Sequence, residues 1–171
     1  MISQYNLGGI KIMAHSIVRT DNLSGTKDGS KLVTVVCPAD IDNGNVLAIS
    51  GLASGEREAY TGSTPAVTTD LGSLVLVAEP EVMYDERLRK LSDFYNLSGA
   101  KARAYVLEKG DVFSVTKEAL SGATAVSGDV GKIVEVAAAT KLKAVASLTS
   151  GSTKVGTIIA VEGDFIVIRV A

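Results

Sequence analysis

Three close pairs of carboxylates are the first residues whose spacing could do chemistry: Asp40 with Asp42, Glu79 with Glu81 and Asp85 with Glu86. Two carboxylates in one pocket can divide acid and base work, or share a cation. Each pair, however, sits beside a turn signal or a helix start, where an acidic side chain already serves as a cap. The single histidine, His15, lies in a strand-like stretch, and the single cysteine, Cys37, ends the apolar run Leu32–Cys37. Composition alone leaves a serine–histidine–aspartate arrangement open, but no nucleophile-elbow sequence supports one. One cysteine excludes an internal disulfide, and its setting is that of a small buried hydrophobe.

Two further stretches resemble ligand loops and fail on spacing. Ala39-Asp40-Ile41-Asp42-Asn43-Gly44-Asn45 has the flavour of a calcium loop. Counted from Asp40, its sixth and twelfth positions are Asn45 and Gly51, where an EF-hand needs Gly and Glu. Asn43-Gly44 between two apolar runs is instead a hairpin signal. Gly51, Gly55 and Gly62 lack the Gly-Lys-Ser/Thr of a phosphate loop. No metal site, cofactor or enzyme activity is expected.

The 17 basic and 19 acidic residues are dispersed, without a basic patch carrying interleaved aromatics, so nucleic acid is not an expected partner. No run approaches the roughly 18 apolar residues of a spanning helix, and no membrane is expected. The opening MISQYNLGGIKIM lacks a basic start and a sustained apolar core, so no signal peptide is expected and synthesis should be cytoplasmic. The mean hydropathy is nonetheless +0.27, a surplus of apolarity that suggests surface buried by other subunits.

The elements that would position these residues are mostly strands. Short β-branched runs at 8–12-residue spacing, punctuated by glycine turns, indicate a mainly β chain: a small β-barrel or sandwich with one short α-helix and an extended N-terminal arm. The helix is expected over 84–96, because Tyr84, Leu88, Leu91 and Tyr95 recur at i, i+4, i+7 and i+11. Arg87, Arg89 and Lys90 would face away from that stripe, as a solvated face or a docking surface. Residues 1–30 read as the arm, with Tyr5, Ile10 and Ile12 as candidate partner contacts. Residues 31–99 read as a β-rich region with a loop over 51–73, and 100–171 as a small C-terminal β-barrel. Val155 to Val161 and Phe165 to Val170, joined by Glu162-Gly163-Asp164, form the clearest hairpin.

Three segments, in this order, carry a family resemblance. They are Ala39 to Val46 (ADIDNGNV), Glu81 to Glu86 (EVMYDE) and Tyr105 to Val115 (YVLEKGDVFSV). Together with the preceding arm and the Gly/Ser/Thr-rich loop, they resemble the capsid decoration proteins of tailed bacteriophages, also called cement or auxiliary head proteins. The resemblance spans most of the chain after about residue 30. It implies a homo-oligomeric structural protein of the virion that binds the outside of an assembled shell of major capsid protein and clamps neighbouring subunits. It implies no catalytic residues. The alternatives are a head–tail joining or tail structural protein, and a small-ligand-binding β-barrel.

Overall fold

The computed structural model describes residues 15–84, 87 and 90–171. Its strands are β1 (Val18–Asn22), β2 (Leu32–Val36), β3 (Val46–Leu52), β4 (Ala59–Ser63), β5 (Leu74–Val77), β6 (Lys101–Val106), β7 (Val112–Thr116), β8 (Leu120–Ser121), β9 (Ile133–Glu135), β10 (Leu142–Val145), β11 (Lys154–Glu162) and β12 (Phe165–Val170). The protein is mainly β, as its composition and spacing predict. Helical structure among the described residues consists of single 3-10 turns, and none is long and apolar enough to cross a membrane.

Two sheets meet across a shared hydrophobic cluster. Strands β2-β4-β3-β5-β6 close into a five-stranded barrel, in which only the β2–β4 pairing is parallel. The order β1-β7-β12-β11-β9-β10-β8 makes a seven-stranded curled sheet. Strand β5, Leu-Val-Leu-Val, explains how they join. Successive side chains of a strand point to opposite faces. Val75 and Val77 point into the barrel with Val35, Leu47, Ala102 and Ala104. Leu74 and Leu76 point outward, with Val46 and Tyr105, into a second cluster that holds Phe113, Ile158, Ile166 and Ile168 of the sheet. A strand buried on both faces has no polar position, which is why this run reads as continuously apolar.

The barrel interior is filled. Five strands enclose less width than the eight that just accommodate side chains, so small residues are required inside. Gly62 is one: a Cβ there would lie 2.7 Å from Val35 Cγ2 and 2.7 Å from the Val36 carbonyl oxygen.

Four sequence expectations are corrected. The closed barrel lies at residues 32–106, not at 100–171, because Lys101–Val106 pairs with β2 and β5 and closes the earlier strands. The predicted arm, 1–30, contributes β1, which pairs with β7 at the sheet edge; residues 1–14 lie outside those described. The Asn43-Gly44 hairpin does not form, since β2 and β3 each pair elsewhere.

The helix over 84–96 is the fourth. Residues 91–93 make one 3-10 turn, while Lys90 and Phe94 are extended. Tyr84 is 94% exposed and Leu91 52%, so the stripe does not bury a face; Leu88, like Asp85, Glu86 and Arg89, lies outside the described residues. A short helix without a buried face is marginal. Asn96 instead exchanges backbone hydrogen bonds with Ile41 at 2.8 Å in each direction, which requires extended chain.

Other elements agree with their sequence signals. The β11–β12 hairpin closes through Gly163 at φ 61°. The Glu108–Asp111 turn is held by Asp111, 2% exposed, which accepts from Glu108 N (2.9 Å), Ser24 N (2.8 Å) and Ser24 Oγ (2.5 Å).

A second carboxylate organises the turn before β9. Asp129, 2% exposed, accepts from Lys132 Nζ (2.7 Å), Thr124 N (2.9 Å) and Val126 N (3.1 Å). The Lys132 hydrogen bond, helped by the two backbone donors, holds its carboxyl down at about 2, below the ordinary 3.8. A depressed folded-state pKa stabilises the fold above the unfolded value and loses that contribution as pH falls through the folded one. Asp129→Asn is therefore expected to cost about 1–2 kcal/mol at pH 7, discounted for the partly exposed lysine, with the difference from wild type shrinking between about pH 4 and 2. Urea midpoints of both proteins across that range check it; a constant difference would show that charge at Asp129 is not what matters.

Candidate functional site

The densest polar constellation surrounds the segment 39–45, one of the three that carry the resemblance. Its carboxylates diverge rather than pair. Asp40 Oδ1 accepts from Ser98 N (2.9 Å), whereas Asp42 turns to the incoming N-terminal chain. His15 Nδ1 lies 2.7 Å from Asp42 Oδ1, and Ser16 N donates to Asp42 Oδ2 at 3.3 Å. The His15 ring stacks on Tyr95, with centroids 4.7 Å apart and planes 20° apart. His15 N also donates to the Ser92 carbonyl at 3.1 Å. One residue on, Ser16 Oγ donates to the Asn43 carbonyl at 2.5 Å. Ile17 then exchanges hydrogen bonds with Thr116, from Ile17 N to Thr116 Oγ1 (3.2 Å) and from Thr116 N to the Ile17 carbonyl (3.0 Å).

Asn43 is the hub, 1% exposed. Its Nδ2 donates to the Glu79 carbonyl (2.8 Å) and Glu81 Oε1 (3.2 Å). Its Oδ1 accepts from Glu79 N (3.1 Å) and Asn96 Nδ2 (3.1 Å). Gly44 beside it, at φ +86°, packs so closely on the sheet that a Cβ would lie 3.0 Å from Val115 Cγ1 and 3.2 Å from Ala119 Cβ. Three segments thus meet at this point: residues 15–17, the 79–81 stretch and the 92–98 stretch. Buried amides with every group paired are rigid and specific in geometry.

The chemistry open to this arrangement is anchoring. The His15–Asp42 pair resembles two-thirds of a triad, but the adjacent serine hydroxyl, Ser16 Oγ, is committed to a backbone carbonyl. Glu79 Oε2 accepts from Arg103 N at 2.5 Å and Glu81 from Asn43, so this pair too is separated into structural roles. Among the described residues no three His, Cys, Asp or Glu side chains are grouped to hold a metal ion. Cys37 is 1% exposed, and burial, with a smaller push from Glu79, raises its thiol to about 11, which keeps it protonated.

Of the contact residues expected from sequence, Tyr5, Ile10, Ile12 and Arg89 lie outside the described residues. Arg87 and Lys90 are exposed on the segment before the 3-10 turn, and Lys90 N donates to Asp93 Oδ2 at 3.2 Å. The Asn43 hub is not legible in the sequence. Asn43 reads as a turn former, and nothing local distinguishes it from one. The one signal was the crowding of Asp42, Asn43 and Asn45 between the apolar Ile41 and Val46.

No protein-family model matches the chain, and no relative among curated proteins matches it.

Proposed function

We propose that this chain is a structural virion protein that binds the outside of an assembled phage capsid and stabilises contacts between major capsid protein subunits. The observation that carries the reading is the Asn43 hub. The Asp-Asn-Gly segment that bears the family resemblance is also the anchor for residues 15–17, which directly follow residues 1–14 in sequence. Pinning residues 15–17 in this way lets a neighbouring subunit engage residues 1–14 without loosening the fold. The exposed apolar side chains of the segment pinned by the same hub, Val82, Tyr84, Leu91 and Leu97, fit a contact surface. The mechanism is interface burial, modest at each contact and multiplied by a symmetric lattice. The reading assigns the chain no reaction.

Copy number tests it. Quantitative mass spectrometry of purified particles is expected to find the chain at on the order of hundreds of copies, comparable to the shell protein, as a symmetric lattice requires. A dozen or fewer would move it to the portal vertex or tail, and absence from particles would overturn the virion reading. Deleting residues 1–14, which leaves the hub intact, is expected to weaken rebinding to stripped shells about tenfold or more. Unchanged binding would remove that segment from the mechanism.

A further inference from the structure

We propose that the outer face of the seven-stranded sheet, centred on the β11–β12 hairpin, is the interface for a second copy of this chain, related by a two-fold axis. The register defines that face. Phe113, Ile168 and Ile158 are cross-strand neighbours on the core side, so the flanking row Val112, Arg169, Thr157, Ile133 and Val145 points outward. The solvated side of an antiparallel sheet normally alternates to polar residues. Here it keeps Val112, Ile133 and Val145, all partly exposed, while Phe165 is covered by the Arg19 guanidinium, 3.6 Å from its ring centroid. Ile159 stands at a β-bulge, where the register shifts between Ile158 and Ala160, and is 45% exposed. It lines a groove of about 350 Å³ together with Lys109, Thr157 and Arg169. Bulges commonly re-aim a side chain out of the ladder, and an isoleucine aimed at water costs solvation free energy unless something covers it.

The charges select the occupant. Lys109 and Arg169 flank the groove at the open end of the hairpin, and Glu162 and Asp164 stand at its turn. Among the described residues none of these four makes an ion pair or a side-chain hydrogen bond. From Arg169 to Phe165 the hairpin runs about 13 Å at strand rise. A two-fold axis lying in the plane of contact and crossing the hairpin near Ile159 turns one hairpin end for end upon the other. Each copy then sets Lys109 and Arg169 against its partner's Glu162 and Asp164, with Ile159 close to the axis. An isologous contact must be self-complementary in this way, whereas an unrelated partner would have to carry the opposite pattern by itself.

Light scattering after size exclusion, from about 1 to roughly 100 µM chain, tests the pairing. The expected result is a species of twice the 17.7 kDa chain mass at the upper end. Lys109→Glu with Arg169→Glu is expected to weaken it at least about tenfold, as is Glu162→Lys with Asp164→Lys, while the chain carrying all four substitutions pairs again. Ile159→Asp is expected to leave a monomer. All five positions are exposed, and unchanged circular dichroism and urea midpoints establish that each variant folds. A wild-type monomer at every concentration overturns the proposal, as does a ring of three or more or a dimer indifferent to the reversals. A monomer that begins to pair only when residues 1–14 are deleted also overturns it, and would make that segment the occupant of the face.

Discussion

Asn43→Ala is expected to lower stability by about 3–4 kcal/mol, among the largest losses available to a single polar substitution in this chain. The carboxamide makes four hydrogen bonds while 1% exposed. Truncation strips its partner from Glu79 N, from the Glu79 carbonyl and from Asn96 Nδ2, in surroundings that water does not reach freely. Each orphaned buried group costs about 1–3 kcal/mol, and partial hydration of the vacated space returns some of the sum. Asn43→Asp keeps the volume but loses the donor that faces Glu81 and sets a second carboxylate beside it, so it should not rescue. Urea unfolding gives the loss directly. Hydrogen exchange supplies a local readout, because the amide of His15, bonded to the Ser92 carbonyl, should lose protection before the sheet does. A loss under about 1 kcal/mol would show that the Asp-Asn-Gly segment is not the anchor of the N-terminal chain.

Phe113→Ala is expected to cost about 3–5 kcal/mol. Phe113 is the largest fully buried side chain among the described residues, at 0% exposure, and lies in the cluster that Leu74 and Leu76 of the barrel share with Ile158, Ile166 and Ile168 of the sheet. Surroundings built from two sheets cannot collapse onto the vacancy without moving one sheet against the other, which places the cost in the upper part of the usual range. Phe113→Leu, which retains most of the volume, should cost less than half as much. Because β5 is buried on both faces, barrel and sheet should unfold together, in one transition by every probe. Melting of the sheet alone, with the barrel still folded, would show that the shared cluster does not couple them.

The amino-acid sequence by itself determined what depends on neighbours along the chain. The β11–β12 hairpin is readable because Glu162-Gly163-Asp164 permits the reversal and the flanking apolar alternation matches the pleat. The Leu74–Val77 run announces burial on both faces. The mainly β character follows from β-branched runs cut by glycine turns.

Tertiary structure alone decided which runs pair. Val18 is set against Val115, and β2 runs parallel to β4, across distances where no local pattern discriminates among partners of similar composition. For the same reason the barrel closed over 32–106 rather than at the C-terminal end: Lys101–Val106 suits either sheet by propensity, and only the shape of the narrow interior, with Gly62, Ala102 and Ala104 inside, favours the first. The 84–96 stripe is a helix by periodicity, yet the chain at 90–96 makes one 3-10 turn and a bridge, because periodicity stabilises a helix only where its apolar face finds something to bury against. Asn43 marks the same limit in polar form. An asparagine before a glycine is a surface turn by local preference, and it became the buried hub because Glu79, Glu81 and Asn96, 36 to 53 residues away, converge on its amide.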